Sequence, residues 1–227
     1  MLPQLENLRT VAAVLREIPQ RFVFAGASIL PLFLDTDFHG EVRRTEDTDV
    51  VVPVLHYSEW SRLRDALIAC GFRERADDRA ARQILFWLDG LAVDFIPARM
   101  KEFGTENHWL SIGYDIAEFD DTVSEHGILR LSVAGWLAAK IAAFNQRGRA
   151  DVFMSRDLED IVTLLIGRSS LPDDVNDAPL EINQFIKSSF ASWSNDAMVW
   201  DAMDGCCVGN DQRRAMDAAR IAISRIE

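Results

Sequence analysis

The sequence predicts an α+β fold, a mixed central sheet flanked by helices with a C-terminal helical region after it. Three observations carry that reading. Over the first half, short apolar runs alternate with amphipathic helical stretches. The pair Asp89-Gly90 divides the apolar runs "ILFWL" and "LAVDFIP", the strongest short-range signal for a hairpin, so the sheet should be mixed. From about Leu131 the pattern turns helical throughout. We place a core over residues 1–127 and a helical region over 128–227.

Taken in order, residues 4–17 read as an amphipathic helix, with Leu5, Leu8, Val11 and Leu15 near helical spacing. "RFVFAG" is a short apolar strand closing on Gly26. "ASILPLFL" should be helical, with Pro31 limiting it or sitting in its first turn. "TDVVVP" is a second strand, stopped by Pro53. "SEWSRLRDALIACG" is a helix that Ser58 can cap at its start and Gly71 at its end. The hairpin follows. "SVAGWLAAKIAAFNQRG" is a helix begun at Ser132 and ended near Gly148, and "SRDLEDIVTLLIG" is another, capped by Ser155 with Leu158, Ile161 and Leu165 as its stripe. "LPDDVNDAP" reads as a linker, and the last 48 residues as helices fastened to the core by Trp136, Trp193 and Trp200.

Bulk properties narrow the function. With 227 residues, 48% of them hydrophobic and 26% charged, the chain is an ordinary globular protein with a sizeable core. No apolar run approaches the roughly 20 residues that span a bilayer. The N-terminus carries acid early and has no apolar signal core, so a cytoplasmic location is expected. A net charge of −12 argues against sequence-independent grip on nucleic acid, which needs many cationic contacts to phosphate. The local basic stretch "RERADDRAARQ" is interrupted by Asp77 and Asp78 and reads as a solvated edge. Cys70, Cys206 and Cys207 make neither a disulfide framework nor a zinc spacing, and His39, His56, His108 and His126 add no ligand pattern.

Three features remain that carry chemistry. Gly26-Ala27-Ser28 stands where a strand gives way to a helix, a place where backbone and hydroxyl donors can meet anionic oxygens, although such a turn often means nothing more. In "RRTEDTDVVV", Asp47 and Asp49 are two apart, so on a strand they share a face, roughly 7 Å apart at the backbone. A polar loop before a strand would explain them equally well. Asp94 is harder to explain away, because it interrupts Leu91, Val93, Phe95 and Ile96 in a strand whose register the hairpin fixes. If its strand neighbours that of Asp47 and Asp49, three carboxylates converge. They repel one another unless a divalent cation, magnesium or manganese, lies among them.

This order of motifs resembles the DNA polymerase β-like nucleotidyltransferase superfamily. "RRTEDTDVVV" is similar to the Arg-x-Thr-x-Asp-x-Asp signature of its bacterial branch related to abortive-infection and toxin–antitoxin nucleotidyltransferases. "WLAAKIAAFNQRGRADVFMSRDLEDI" resembles that branch's helical Lys…Arg…Asp-x-x-Asp segment, with Lys140 at the phosphate-contacting lysine and Arg156, Asp157 and Asp160 in the later element. The resemblance covers about residues 20–166. It implies a nucleotidyltransferase fold and transfer of a nucleoside monophosphate from an NTP, ATP by default, to a hydroxyl of an unknown small molecule, protein or RNA end. It further implies Asp47, Asp49 and Asp94 as metal ligands and Gly26, Ala27, Ser28 and Lys140 as nucleotide contacts.

Two other Asp-x-Asp chemistries fit less well. A glycosyltransferase needs a longer nucleotide-binding half ahead of the motif, and a haloacid dehalogenase-like phosphatase puts its valines before the aspartates rather than after. The remaining alternative is the same fold kept as a binding or antitoxin-like module with little turnover.

Overall fold

The structure is a computed structural model that describes residues 2–75, 84–99, 108–207 and 212–226. Most of the basic stretch "RERADDRAARQ" lies outside the described residues. The chain divides into two compact units, one of Met1–Leu32 with Arg44–Ser132, the other of Phe33–Arg43 with Val133–Glu227.

The first unit opens with helix α1 (Pro3–Leu15), which starts on a proline in its first turn and buries Leu8, Val11, Ala12 and Leu15. Strand β1 (Val23–Ala25) follows, and then Ala27–Leu32 form a 3₁₀ helix rather than an α-helix. Pro31 lies inside it, and a proline has no backbone donor to extend a helical ladder. Strand β2 (Asp47–Val52) contains both aspartates within the strand itself, and its three valines are fully enclosed. Helix α2 (Tyr57–Ala69) begins after His56, so Ser58 sits inside the first turn instead of capping it. Its other end is as read. Gly71 takes a φ of +99°, its N–H bonds to the Ile68 carbonyl, and the next N–H, of Phe72, returns to Leu67. That pair of bonds closes the last turn and buries Phe72 against the helix end.

Strands β3 (Leu85–Leu88) and β4 (Leu91–Pro97) are joined by Asp89 and Gly90, both at positive φ, the two-residue turn whose twist matches the strands it joins. After helix α3 (His108–Asp115) come two short strands the sequence pattern did not single out, β5 (Glu118–Asp120) and β6 (Ile128–Arg130). The six strands form one mixed sheet in the order β3-β4-β2-β1-β6-β5. β2 is central, parallel to β4 and antiparallel to β1, and β1 is parallel to β6. One side of β2 and β4 is filled by Trp60, Phe72, Phe86 and Phe95, packed edge to face with centroids 5.3–6.2 Å apart.

The second unit is helical: α4 (Val133–Gln146), α5 (Arg156–Gly167), α6 (Leu171–Asn176), α7 (Leu180–Trp193), α8 (Ala197–Cys206) and α9 (Gln212–Ile226). Ser155 caps α5 by accepting from the Leu158 N–H. The expected linker "LPDDVNDAP" is in its first part helix α6. Pro172 lies in the opening turn, where a missing N–H costs nothing, Leu171 and Val175 are buried, and Asp174 pairs with Arg168 at 2.5 and 2.8 Å. Trp136 stacks edge-on against Phe33, Trp193 against Phe144 and Phe190, and Arg220 lies over Trp200. Segment Phe33–Arg43 is fixed to the end of α5. The Asp35 N–H bonds to Gly167 O, Arg168 donates to the Phe33 carbonyl, and the Ser169 N–H donates to the Asp35 carboxylate, each at 2.8 Å.

Candidate functional site

In the first unit the sheet register sets Asp49 directly beside Asp94 across the parallel β2–β4 pair, and beside Ala25 across β1. Residues paired in register share a face, so the two aspartates stand side by side on neighbouring strands about 4.8 Å apart. Asp47 is two residues earlier on the same face, opposite Ala92. Exposure grades along this line. Asp47 is exposed, Asp49 half-buried, and Asp94 is 6% exposed. Thr48, between the first two, points to the opposite face and is fully buried.

The turn after β1 is shaped around Asp49. Gly26 has a φ of +67°, and a Cβ there would lie 1.7 Å from Oδ2 of Asp49. The glycine is therefore required twice, by its conformation and by the carboxylate seated on it. Substituting G26A should cost about 1–2 kcal/mol for the left-handed backbone alone, and more for the displaced Asp49. Urea denaturation of the variant beside the parent measures it, and a loss no larger than that range would mean the carboxylate swings aside freely. Ser28, 1% exposed, donates its hydroxyl to the Ala25 carbonyl at 3.3 Å, and Ala27 is buried.

The residue types suit a hard divalent cation, since all three candidates offer carboxylate oxygens. Their side chains are not gathered into a ready cage. Asp47 accepts a hydrogen bond from the Thr45 hydroxyl, and among the described residues no group of three or more His, Cys, Asp or Glu is arranged to hold a metal ion. Asp49 and Asp94 are the two that the strand register brings together.

The second unit holds a separate polar cluster around Lys140. Asp157 and Asp160 are three apart on α5 and so share one face of it. The Lys140 ammonium donates to Asp157 Oδ1 at 3.1 Å and Asp160 Oδ2 at 2.6 Å. Arg147 grips Asp157 with two bonds, at 2.9 and 3.2 Å, and Arg43 grips Asp160 with two, at 3.2 and 3.1 Å. Both carboxylates are enclosed, 7% and 1% exposed, and Lys140 is 12% exposed. Burial works against the ammonium, but the charges of Asp160 and Asp157 outweigh it and hold the Lys140 pKa above its ordinary value. Burial likewise opposes the Asp157 carboxylate, and Lys140 with Arg147 brings its pKa below the usual range. Lys140 is thus a buried ion-pair partner and not a lone charge on an exposed helix face. Arg43 and Arg147 were not singled out as site residues by pattern, although Arg43 opens the quoted "RRTEDTDVVV". Seven-residue spacing from Lys140 to Arg147, the residue that follows α4, was the available signal for the second.

One cysteine borders this cluster, close enough for the charges of Glu159 and Asp160 to add to its burial. Cys206 ends α8, and burial pushes its thiol up to about 11; Cys207 is buried.

No family model matches the chain, and no curated protein matches it. Solved structures do. An antigenic nucleotidyltransferase-like protein from Paracoccidioides brasiliensis aligns over 89% of this chain and 92% of its own, with 14% identity and a TM-score of 0.50. This is the nucleotidyltransferase fold. The antibiotic-resistance factor ANT(2'')-Ia aligns over 84% of this chain and 95% of its own, at 14% identity and a TM-score of 0.47. Within the nucleotidyltransferase fold of this chain, the mixed sheet carries Asp49 and Asp94 on its adjacent parallel strands β2 and β4. Among the described residues, no helix is long and apolar enough to cross a membrane.

Proposed function

We propose that this protein is a magnesium-dependent nucleotidyltransferase that moves a nucleoside monophosphate from an NTP to a hydroxyl. The observation that supports it most is the register Asp49↔Asp94, two carboxylates placed side by side at the edge of an apolar core, where one of them is nearly enclosed. Buried like charges at that spacing disfavour the fold unless they serve a cation or a proton transfer.

Asp47, Asp49 and Asp94 would be the ligands. Magnesium takes one or two carboxylates together with waters and substrate phosphates more readily than an all-protein cage, so the final ligand set forms with the nucleotide. The bound metal supplies charge stabilisation at the phosphates. Gly26 gives the Asp49 carboxylate room to sit against the turn after β1, and that turn, Gly26 to Ser28, would carry the phosphate contacts. Asp94 takes the proton from the acceptor hydroxyl as its oxygen bonds to the α-phosphorus. The bond to the β-phosphate oxygen breaks, and pyrophosphate leaves. Lys140, in the second unit, is matched by resemblance to the superfamily's phosphate-contacting lysine. ATP is the default donor; a small molecule, a protein hydroxyl or an RNA end is the acceptor. The bacterial abortive-infection branch and a cytoplasmic location belong to this proposal.

A panel of four NTPs with magnesium tests the reading by thermal shift. A ligand bound only by the folded state raises the melting temperature, and a purine triphosphate is expected to do so. Radiolabel carried from α-labelled NTP to a component of a cell extract would then establish turnover. A flat response to all four at millimolar concentration would move the assignment to the binding or antitoxin-like module.

A further inference from the structure

The Lys140 cluster contains a residue whose place suggests more than a strut. Asp160 is shared: one of its oxygens takes Arg43 Nε, and the other takes both Arg43 Nη2 and Lys140 Nζ. A guanidinium that bonds both oxygens of a carboxylate fixes its plane as well as its position, which a single ammonium does not. The oxygen that Lys140 meets at 2.6 Å is therefore held in orientation by Arg43. Lys140 has three N–H donors, and Asp157 and Asp160 take two of them. With two directions fixed, the third is fixed as well, and the Trp136 ring, its centroid 5.6 Å from Nζ, forms one wall beside it. Arg43 is also the last residue of its segment in the second unit, and only residues 44–46 separate it from Asp47 along the chain.

We infer that Arg43 is a positioning residue, which through Asp160 aims the remaining N–H of Lys140 at an anionic oxygen. The anion's identity as a nucleotide phosphate rests on the proposed function; the aiming does not. Arg43 spends Nε and Nη2 on Asp160, and its Nε also lies 3.6 Å from Glu159, so its role in the inference is to hold Asp160.

The test exploits a chain with only three lysines, Lys101, Lys140 and Lys187. With lysine carrying ¹³C at Cε, three signals appear, assigned with K101R and K187R. A held ammonium keeps its two ε-protons in different surroundings, so their shifts are split; a mobile one averages them. The parent should show a split Lys140 signal. R43Q should collapse it and weaken binding of magnesium tripolyphosphate about tenfold, while R43K keeps the charge and recovers melting temperature more than splitting. A strut with no positioning role would lower the melting temperature of R43Q and leave the Lys140 splitting intact, and that result overturns the inference. So does a further loss of affinity when R43Q is added to K140Q, because it would mean Arg43 meets the anion directly. If the splitting collapses in R43Q while neither protein binds tripolyphosphate or NTP, Arg43 positions Lys140 as inferred and the nucleotide reading fails alone.

Discussion

Asp49→Asn is expected to lower transferase activity by at least about a hundredfold while leaving the protein as stable as the parent, or more so, in EDTA. The expectation follows from where Asp49 sits. Its strand partner is Asp94, and Asp47 shares its face, so in metal-free buffer three like charges crowd one side of β2 and β4. Asparagine keeps the shape against Gly26 and removes one of those charges. With magnesium and NTP the order should reverse, because the parent gains a bound cation and the variant gains less. Melting curves of both proteins under both conditions separate the roles. A variant that melts lower in EDTA would show that the carboxylate is scaffold, held for its hydrogen bonds.

Lys140→Met should destabilise the fold by about 3 kcal/mol, the scale of removing one partner from a buried ion pair. Methionine keeps a stem of similar length but removes the ammonium that lies 5.6 Å from the Trp136 ring centroid, so the loss is chiefly electrostatic. Asp157 and Asp160 would then face each other across the vacated ammonium, each left with one arginine. The pH dependence has a definite sign. Lys140 is held above the ordinary lysine value, so its contribution is full below about 10.5 and is lost as pH rises through the raised value. Asp157 is held below the ordinary aspartate value, so its share is full above about 3.9 and is lost as pH falls through the depressed value. The gap between parent and variant should therefore be level from about pH 5 to 9 and shrink on the alkaline side. Denaturant midpoints at pH 7 and pH 11 measure it; a gap that stays constant would mean Lys140 contributes through packing alone.

Much of the sheet was readable because its signals are local. Asp89-Gly90 fixes a turn by backbone conformation, and the valines after Asp49 and the apolar residues around Asp94 have few alternatives to a buried strand. Ser155 was legible as a cap for the same reason, since the donor it serves is three residues away. The misses have physical causes as well. β5 and β6 are three residues each, too short for alternation to declare itself. Ser58 lost its capping role because the chain enters α2 two residues earlier than such a cap requires, at Tyr57, with His56 in the cap position. In "LPDDVNDAP" composition spoke for a loop, while the burial of Leu171 and Val175 and the Arg168–Asp174 pair decided for a helix. At the candidate site, the adjacency of Asp49 and Asp94 was a condition the sequence could state but not satisfy, because strand pairing is a long-range fact. Arg43 and Asp160 are 117 positions apart, and nothing in the local pattern announces that they meet.

The path of the chain between residues 32 and 44 bears on how such a protein could arise by recombination. The second unit takes Phe33–Arg43 from the middle of the sequence and returns it before β2. A gene fragment beginning at Val133 would lack the ring beside Trp136, the carbonyl that Arg168 binds and the guanidinium on Asp160. The complementary fragment ending at Ser132 would display that eleven-residue segment without its helices. Neither piece can be exchanged as a cassette at that cut. Descent by shuffling at the visible helical boundary is thereby disfavoured, and variation in the terminal helices has to accumulate around an insert that stays in place.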